Sequence, residues 1–228
     1  MPIHNEKWHE RVGLYMNSNQ MHVETITVGP AASNCYVLWN EDKKALIIDP
    51  GSEAETILGT IKNLGLSIVG YPLTHGHVDH VSALSRVHAA HPAPIALHPE
   101  DARWAFTRRN QMAPIYDAPE SPGRIDRELG DGQTWMDAGF RYEVLHTPGH
   151  TPGGVCFLFP DHNLLISGDT LFRGSVGRTD LPGGDMDVLM NSLKRLTDLP
   201  EELRVLPGHG PPTTIGEERR LNPFMQDL

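Results

Sequence analysis

The string Thr74-His75-Gly76-His77-Val78-Asp79-His80 constrains this chain more than any other stretch. It follows Ile68–Leu73, a β-branched and apolar run that reads as a strand, and it precedes a helical pattern reaching about His91. In an extended segment leaving a strand, positions 75, 77 and 79 project the same way, and Asp79 and His80 fall where the next helix begins. Three imidazoles and a carboxylate are thereby delivered to one point. Such ligands suit zinc, iron or manganese. A lone Asp79 would read as a helix cap and lone histidines as solvated loop residues, but the four together point to a metal.

The flanking pattern supplies a frame for that point. Residues 1–21 are polar and without period and read as an N-terminal extension, and residues 22–228 read as one domain. Strand patterns cover His22–Val28, Asn34–Trp39 and Lys44–Asp49. Ser52 to Glu55 then has the spacing of a capping box. Behind it Ala54, Ile57, Leu58, Ile61 and Leu64 form an apolar helical stripe that Gly65 ends. Pro94–Leu97 reads as a strand, Glu100–Asn110 as a helix, and residues 111–128, with their prolines, as a surface excursion. A second strand group comprises Gln133–Trp135, Phe140–His146, Val155–Phe159 and Leu164–Ser167. A glycine-bearing loop Gly168–Gly184, a helix Asp185–Leu196, a short strand Val205–Leu206 and a helical stretch Ile215–Arg220 follow. Two strand groups with their own helices, and no flexible linker between them, predict two sheets face to face with helices outside.

Three more ligand-type side chains sit in glycine-rich loops after strands: His150 in Thr147–Gly154, Asp169 in Ser167–Thr170 and His209 in Leu206–Gly210. One such Pro-Gly-His would read as a turn that happens to hold a histidine, but this chain repeats the arrangement. His4, His9, His22, His88, His91, His98, His146 and His162 match no ligand position and read as surface or packing residues. Cys35 and Cys156 sit in strand patterns and read as small buried side chains.

In this order and context, His75, His77, Asp79, His80, His150, Asp169 and His209 resemble the metallo-β-lactamase superfamily. Gly168-Asp169-Thr170-Leu171-Phe172, Gly177-Arg178, Pro207-Gly208-His209-Gly210-Pro211 and Asn222-Pro223-Phe224 narrow the likeness. They make the chain similar to short members of the glyoxalase II, or hydroxyacylglutathione hydrolase, group. The resemblance runs from about His22 to Phe224. It implies an α/β fold, an αβ/βα four-layer sandwich of two mixed sheets with the metal site at one edge. It also implies two divalent metal ions, zinc first, with iron or manganese as alternatives. His75, His77 and His150 would hold the first ion and Asp79, His80 and His209 the second. Asp169 would bridge them, and Asp79 and Asp169 would be the catalytic carboxylates.

The reaction so implied is hydrolysis of a thioester such as S-lactoylglutathione by attack of a metal-bridging hydroxide. A thiolate, with a conjugate-acid pKa of about 8.5, leaves without a dedicated general acid. Arg178 matches the position of a cationic substrate-binding residue, whereas Asp180 stands where the family often has a tyrosine. Two alternatives share the scaffold: a mononuclear iron persulfide dioxygenase using His75, His150 and Asp169, and a lactone hydrolase. An antibiotic β-lactamase is disfavoured, because neither cysteine is placed for the second metal.

Composition bears on partners. Nineteen Lys plus Arg against 29 Asp plus Glu leave −10, with no basic run, which argues against a nucleic acid. No apolar stretch approaches a membrane span, and residues 1–20 show no apolar core of a signal peptide. The expectation is a cytoplasmic monomer or small homo-oligomer acting on a small-molecule acyl-thiol substrate, without nucleic acid or membrane.

Overall fold

A computed structural model describes residues 20–226 and 228. The expected extension therefore lies almost wholly outside the described residues. The first sheet contains β1 (His22–Val28), β2 (Ser33–Trp39), β3 (Lys44–Ile48), β4 (Ser67–Pro72), β5 (Ile95–Leu97) and β6 (Arg127–Glu128), side by side in that order. Pairing is antiparallel through β3 and parallel beyond it. The second sheet contains β7 (Thr134–Asp137), β8 (Phe140–His146), β9 (Val155–Phe159) and β10 (Leu164–Gly168). A small hairpin, β11 (Leu171–Phe172) with β12 (Ser175–Val176), stands apart from it. With β13 (Arg204–Pro207) and β14 (Thr213–Thr214), the second sheet has the order β14-β13-β10-β9-β8-β7.

Strand alternation divides the apolar side chains among three layers of core. All of β2 is buried, yet its residues serve opposite faces. Cys35, Val37 and Trp39 pack with Ile57 and Ile61 of α1 (Ala54–Leu64) and with Val81 of α2 (Val78–Val81). Leu84 and Val87 of α3 (Leu84–Ala90) complete that layer. Tyr36 and Leu38 instead meet Phe140, Tyr142, Val144, Phe157 and Phe159 between the sheets. On the far side of the second sheet, Cys156, Leu158, Leu165 and Val205 pack against Leu189, Leu193 and Leu196 of α5 (Met186–Thr197). The result is the αβ/βα sandwich. Phe157 is fully buried at its centre, where truncation to alanine costs about 3–5 kcal/mol.

Several local expectations give way to long-range contacts. The residue preceding α1 is Glu53 in the left-handed region (φ 53°), and no side chain caps the helix. Glu53 Oε1 accepts instead from the Gly29 amide at 2.9 Å, so the Ser52–Glu55 capping box does not form. The helix expected up to His91 is broken between α2 and α3, because the Ala83 amide bonds to the carbonyls of Pro50 and Gly51. Of the expected helix Glu100–Asn110, only α4 (Pro99–Ala102) and a 3₁₀ turn at Arg108–Asn110 form. Asn110 Nδ2 binds the carbonyls of Gly76 and Ala105 at 2.7 and 2.6 Å and turns the chain there. The excursion ends in β6, and the glycine-bearing loop contains the β11–β12 hairpin. The last helix, α6, spans Ile215–Leu221. Among the described residues, no helix is long and apolar enough to cross a membrane.

Candidate metal centre

All the donors expected from the sequence converge at one edge of the sandwich, at the ends of β4, β8, β10 and β13. The loop after β4 carries His75 and His77, and α2 carries Asp79 and His80. His150 comes from the β8–β9 loop, Asp169 follows β10 and His209 follows β13. Close approach of these loops demands small residues. Gly168 has φ +49°, and a Cβ there would lie 2.6 Å from Thr74. A Cβ at Gly208 would run into Asp169 Oδ1 and the His80 ring.

Two donor groups result. His75, His77 and His150 present nitrogens within 4.8 Å of one another, and so do the ligand atoms of Asp79, His80 and His209. His77 Nδ1 stands 2.8 Å from His150 Nε2, and His80 Nε2 stands 3.2 Å from His209 Nε2. Asp169 lies between the groups, with Oδ1 3.4 Å from His80 Nε2 and Oδ2 3.4 Å from both His150 Nε2 and His209 Nε2. Asp79 Oδ2 lies 3.3 Å from His209 Nε2 and 3.6 Å from His80 Nε2.

Partners on the opposite side of each ring select the nitrogen that faces inward. A backbone carbonyl only accepts, so His150 Nδ1 donates to Arg178 (2.7 Å) and His209 Nδ1 donates to Ala31 (3.1 Å). His80 Nδ1 donates to Asp49 Oδ2 at 3.1 Å. Each therefore turns Nε2 inward, as ring orientation by outer partners does at metal sites. Asp49 also accepts the amide and hydroxyl of Thr74, whose Oγ1 is 3.1 Å from His75 Nδ1. Asp49 lies within 4.8 Å of His75 and His80 as well, but these donors engage both of its oxygens.

The donor set fits divalent cations on an internal test. His75 Nε2 and Asp169 Oδ1 are buried without a hydrogen-bond partner, both at this point. Unpartnered buried polar atoms are rare and call for an explanation, and two of them among seven ligand-type side chains fit a cation at this point. Protonation behaviour divides the groups. Burial, with neighbouring imidazoles, pushes His75 well below the usual histidine range and His77 down to about 3. His80 is fully buried and His209 only partly so, but around both the carboxylates prevail and raise them to about 9 and about 10. Burial opposes ionisation of Asp169 and Asp79, yet the adjacent imidazoles hold both below the usual carboxylate range.

Arg178 meets this site through its backbone. Its carbonyl takes the His150 proton, while its guanidinium forms a bidentate pair with Asp180 at 2.6 and 2.7 Å. The half-buried Trp104 ring sits 5.4 Å from the His77 ring, and the Phe172 ring sits 5.9 Å from that of His209. His146, read as an ordinary residue, makes a 3.0 Å hydrogen bond to the Pro152 carbonyl and stacks on His98 at 4.3 Å. Asp49 and Asp101 escaped sequence reasoning. Asp49 falls at the end of the strand pattern Lys44–Asp49 and Asp101 within the expected helix Glu100–Asn110, and no ligand-type spacing marks either.

Comparison with known proteins agrees with this geometry. The model of the metallo-beta-lactamase superfamily matches residues 28–209. The hydroxyacylglutathione hydrolase GloC of Haemophilus influenzae is 37% identical over 212 residues, covering 90% of this chain and 98% of the relative. The crystal structure of the BLEG-1 B3 metallo-beta-lactamase has a TM-score of 0.83 at 37% identity, covering 90% of this chain and 99% of that one. The structure of TTHA1623 in a di-iron-bound form has a TM-score of 0.78 at 42% identity, covering 89% of this chain and all of that one. Fold, clustered donors and sequence likeness over nearly the whole length agree, and the chain belongs to the metallo-β-lactamase superfamily of metallo-hydrolases.

Proposed function

We propose that this metallo-hydrolase cleaves a small acyl-thiol ester at a centre of two divalent cations, with S-lactoylglutathione as the first substrate to try. The pair of unpartnered buried atoms, His75 Nε2 and Asp169 Oδ1, carries the metal reading. His75, His77 and His150 would hold one cation, Asp79, His80 and His209 the other, with Asp169 facing both. Cations so held lower the pKa of water and polarise a carbonyl. Zinc is the first candidate, and the di-iron-bound relative keeps iron beside it.

The chain's own residues favour a thiolate leaving group. Asp49 and Asp101 are buried beside the donors, but each is engaged by amides or hydroxyls and neither is set to hand over a proton. A thiolate with a conjugate-acid pKa of about 8.5 needs none, whereas an amide nitrogen departs only when protonated. The GloC relative supports glutathione as the thiol. BLEG-1, equally identical and named a β-lactamase, supports a β-lactam as the second reading. A glutathione carboxylate seeking Arg178 would have to displace Asp180 from its guanidinium. The cytoplasm, as the compartment of a small acyl-thiol, belongs to the same proposal.

The test combines metal analysis with turnover of S-lactoylglutathione, a neutral thioester of the same acyl group and a β-lactam. Two divalent ions per chain and a kcat/KM for thioesters above that for the β-lactam are expected. A preference for the β-lactam would overturn the thioester reading. One iron per chain, with Asp79, His80 and His209 empty, would replace it with the iron dioxygenase.

A further inference from the structure

Residues 98–110 contribute no donor to the centre, yet one of them grips both loops of the first donor group. Asp101 is fully buried and accepts from the Gly76 amide at 2.9 Å, the Gly153 amide at 2.7 Å and the Thr151 hydroxyl at 2.7 Å. Gly76 separates His75 from His77, and Thr151 follows His150. A single carboxylate thus ties the loop leaving the first sheet, which holds two imidazoles, to the loop of the second sheet, which holds the third. The fit is close on both sides. A Cβ at Gly76 would lie 3.2 Å from Asp101 Cβ, and one at Gly153 would lie 2.6 Å from Asp101 Oδ1. Asn110 reinforces the hold by donating to the Gly76 carbonyl at 2.7 Å.

All three groups facing Asp101 are donors, so only an acceptor-only side chain satisfies them together. That role carries a cost. Burial drives the Asp101 carboxyl above its ordinary value, and its hydrogen-bond donors pull against the rise. We propose that Asp101 is the positioning residue of the first cation site, setting His77 against His150, whose inward nitrogens stand 2.8 Å apart. The second group is oriented by other partners, the Asp49 carboxylate for His80 and the Ala31 carbonyl for His209. The effect of Asp101 is therefore confined to one half of the centre. This inference rests on the metal reading of the site and is independent of the substrate.

Cobalt(II) titration with the ligand-field spectrum as readout tests it, using the full chain. In a His209→Ala background, which leaves the first group intact, adding Asp101→Asn should weaken cobalt binding about 10–100-fold and alter the spectrum. In a His77→Ala background, which leaves the second group, the same change should shift affinity less than about threefold. Thr151→Val, removing a single donor, should weaken the first site in the same direction, with Thr151→Ser restoring it. This pair keeps the test open if Asp101→Asn does not fold. Equal losses in both backgrounds would make Asp101 a general brace and overturn the proposal, as would unchanged affinity in the first background. Absence of cobalt binding in the His209→Ala protein with Asp101 intact would overturn the metal reading itself, and the proposal with it.

Discussion

His75, His77 and His150 meet as three imidazoles, whereas Asp79, His80 and His209 meet under the influence of three carboxylates, Asp79, Asp169 and Asp49. Burial dominates the first group and keeps His75 and His77 neutral, with lone pairs available. In the second group burial, complete for His80 and partial for His209, is outweighed by negative charge, and both hold protons well above neutrality in the metal-free protein. One fold edge thus carries two kinds of donor set. The lesson is that residue type does not fix protonation; the balance between burial and directly bonded carboxylates at each ring does.

Removing the residue shared by both groups should have the largest effect. On the proposed two-cation thioesterase, Asp169→Ala is expected to leave at most one bound ion per chain and to lower kcat by about a thousandfold or more. Mass-spectrometric metal analysis and steady-state kinetics check this, and a variant keeping both ions and its rate breaks the bridging role. Next comes His209→Ala, which touches only the second group. It should keep one ion on the three imidazoles and lose about a hundredfold in kcat with KM little changed. Full turnover by a protein shown to hold one ion would end the two-cation mechanism.

The third expectation sharpens the contrast through pH, in the metal-free protein. His80 and His209, raised to about 9 and about 10, keep protons that the unfolded chain has released. Their stabilisation is complete below about pH 6.5 and is lost as pH rises through those values. His75 and His77 act oppositely, since the unfolded chain binds their protons first. Stability is therefore lost as pH falls from about 6.5, through about 3 for His77. Thermal midpoints should peak near about pH 6.5, with the alkaline limb flattened in His209→Ala; an unaltered alkaline limb would break the assignment. The smallest effect belongs to Arg178, paired in solvent with Asp180. Arg178→Ala should change KM less than about threefold for charged and neutral thioesters alike. A tenfold rise confined to the carboxylate-bearing substrate would show that the guanidinium leaves Asp180 for substrate.

Elements with a long, clean period are legible in the sequence. Ala54–Leu64 ends at Gly65 as its apolar stripe predicts, with Gly65 in the left-handed region (φ 66°), and Phe140–His146 and Val155–Phe159 match their strands residue for residue. Elements decided by distant partners are not. The capping box loses its cap position from Ser52 to Glu53, which binds Gly29, 24 residues away, while its Glu55 pairs with Arg86; the helix expected over Glu100–Asn110 loses its middle to contacts with Gly76. β6, β11, β12 and β14 have two residues each, too few to show any alternation. Asp49 is hidden for a related reason. Its partners Thr74 and His80 lie 25 and 31 residues on, and nothing local marks a carboxylate that acts across that distance.

By itself the sequence determined the two-sheet layering and the side chains available at its edge, because strand alternation and glycine-flanked histidines are local properties of a chain. Which donors form a group, which nitrogen each ring turns inward and which rings carry protons were decided only by the tertiary structure. Those choices rest on the carbonyls of Arg178 and Ala31 and on the carboxylates of Asp49, Asp101 and Asp169. Folding brings these groups together from separate loops, and a hydrogen bond or a charge acts through space over a few ångströms, whatever the separation along the chain.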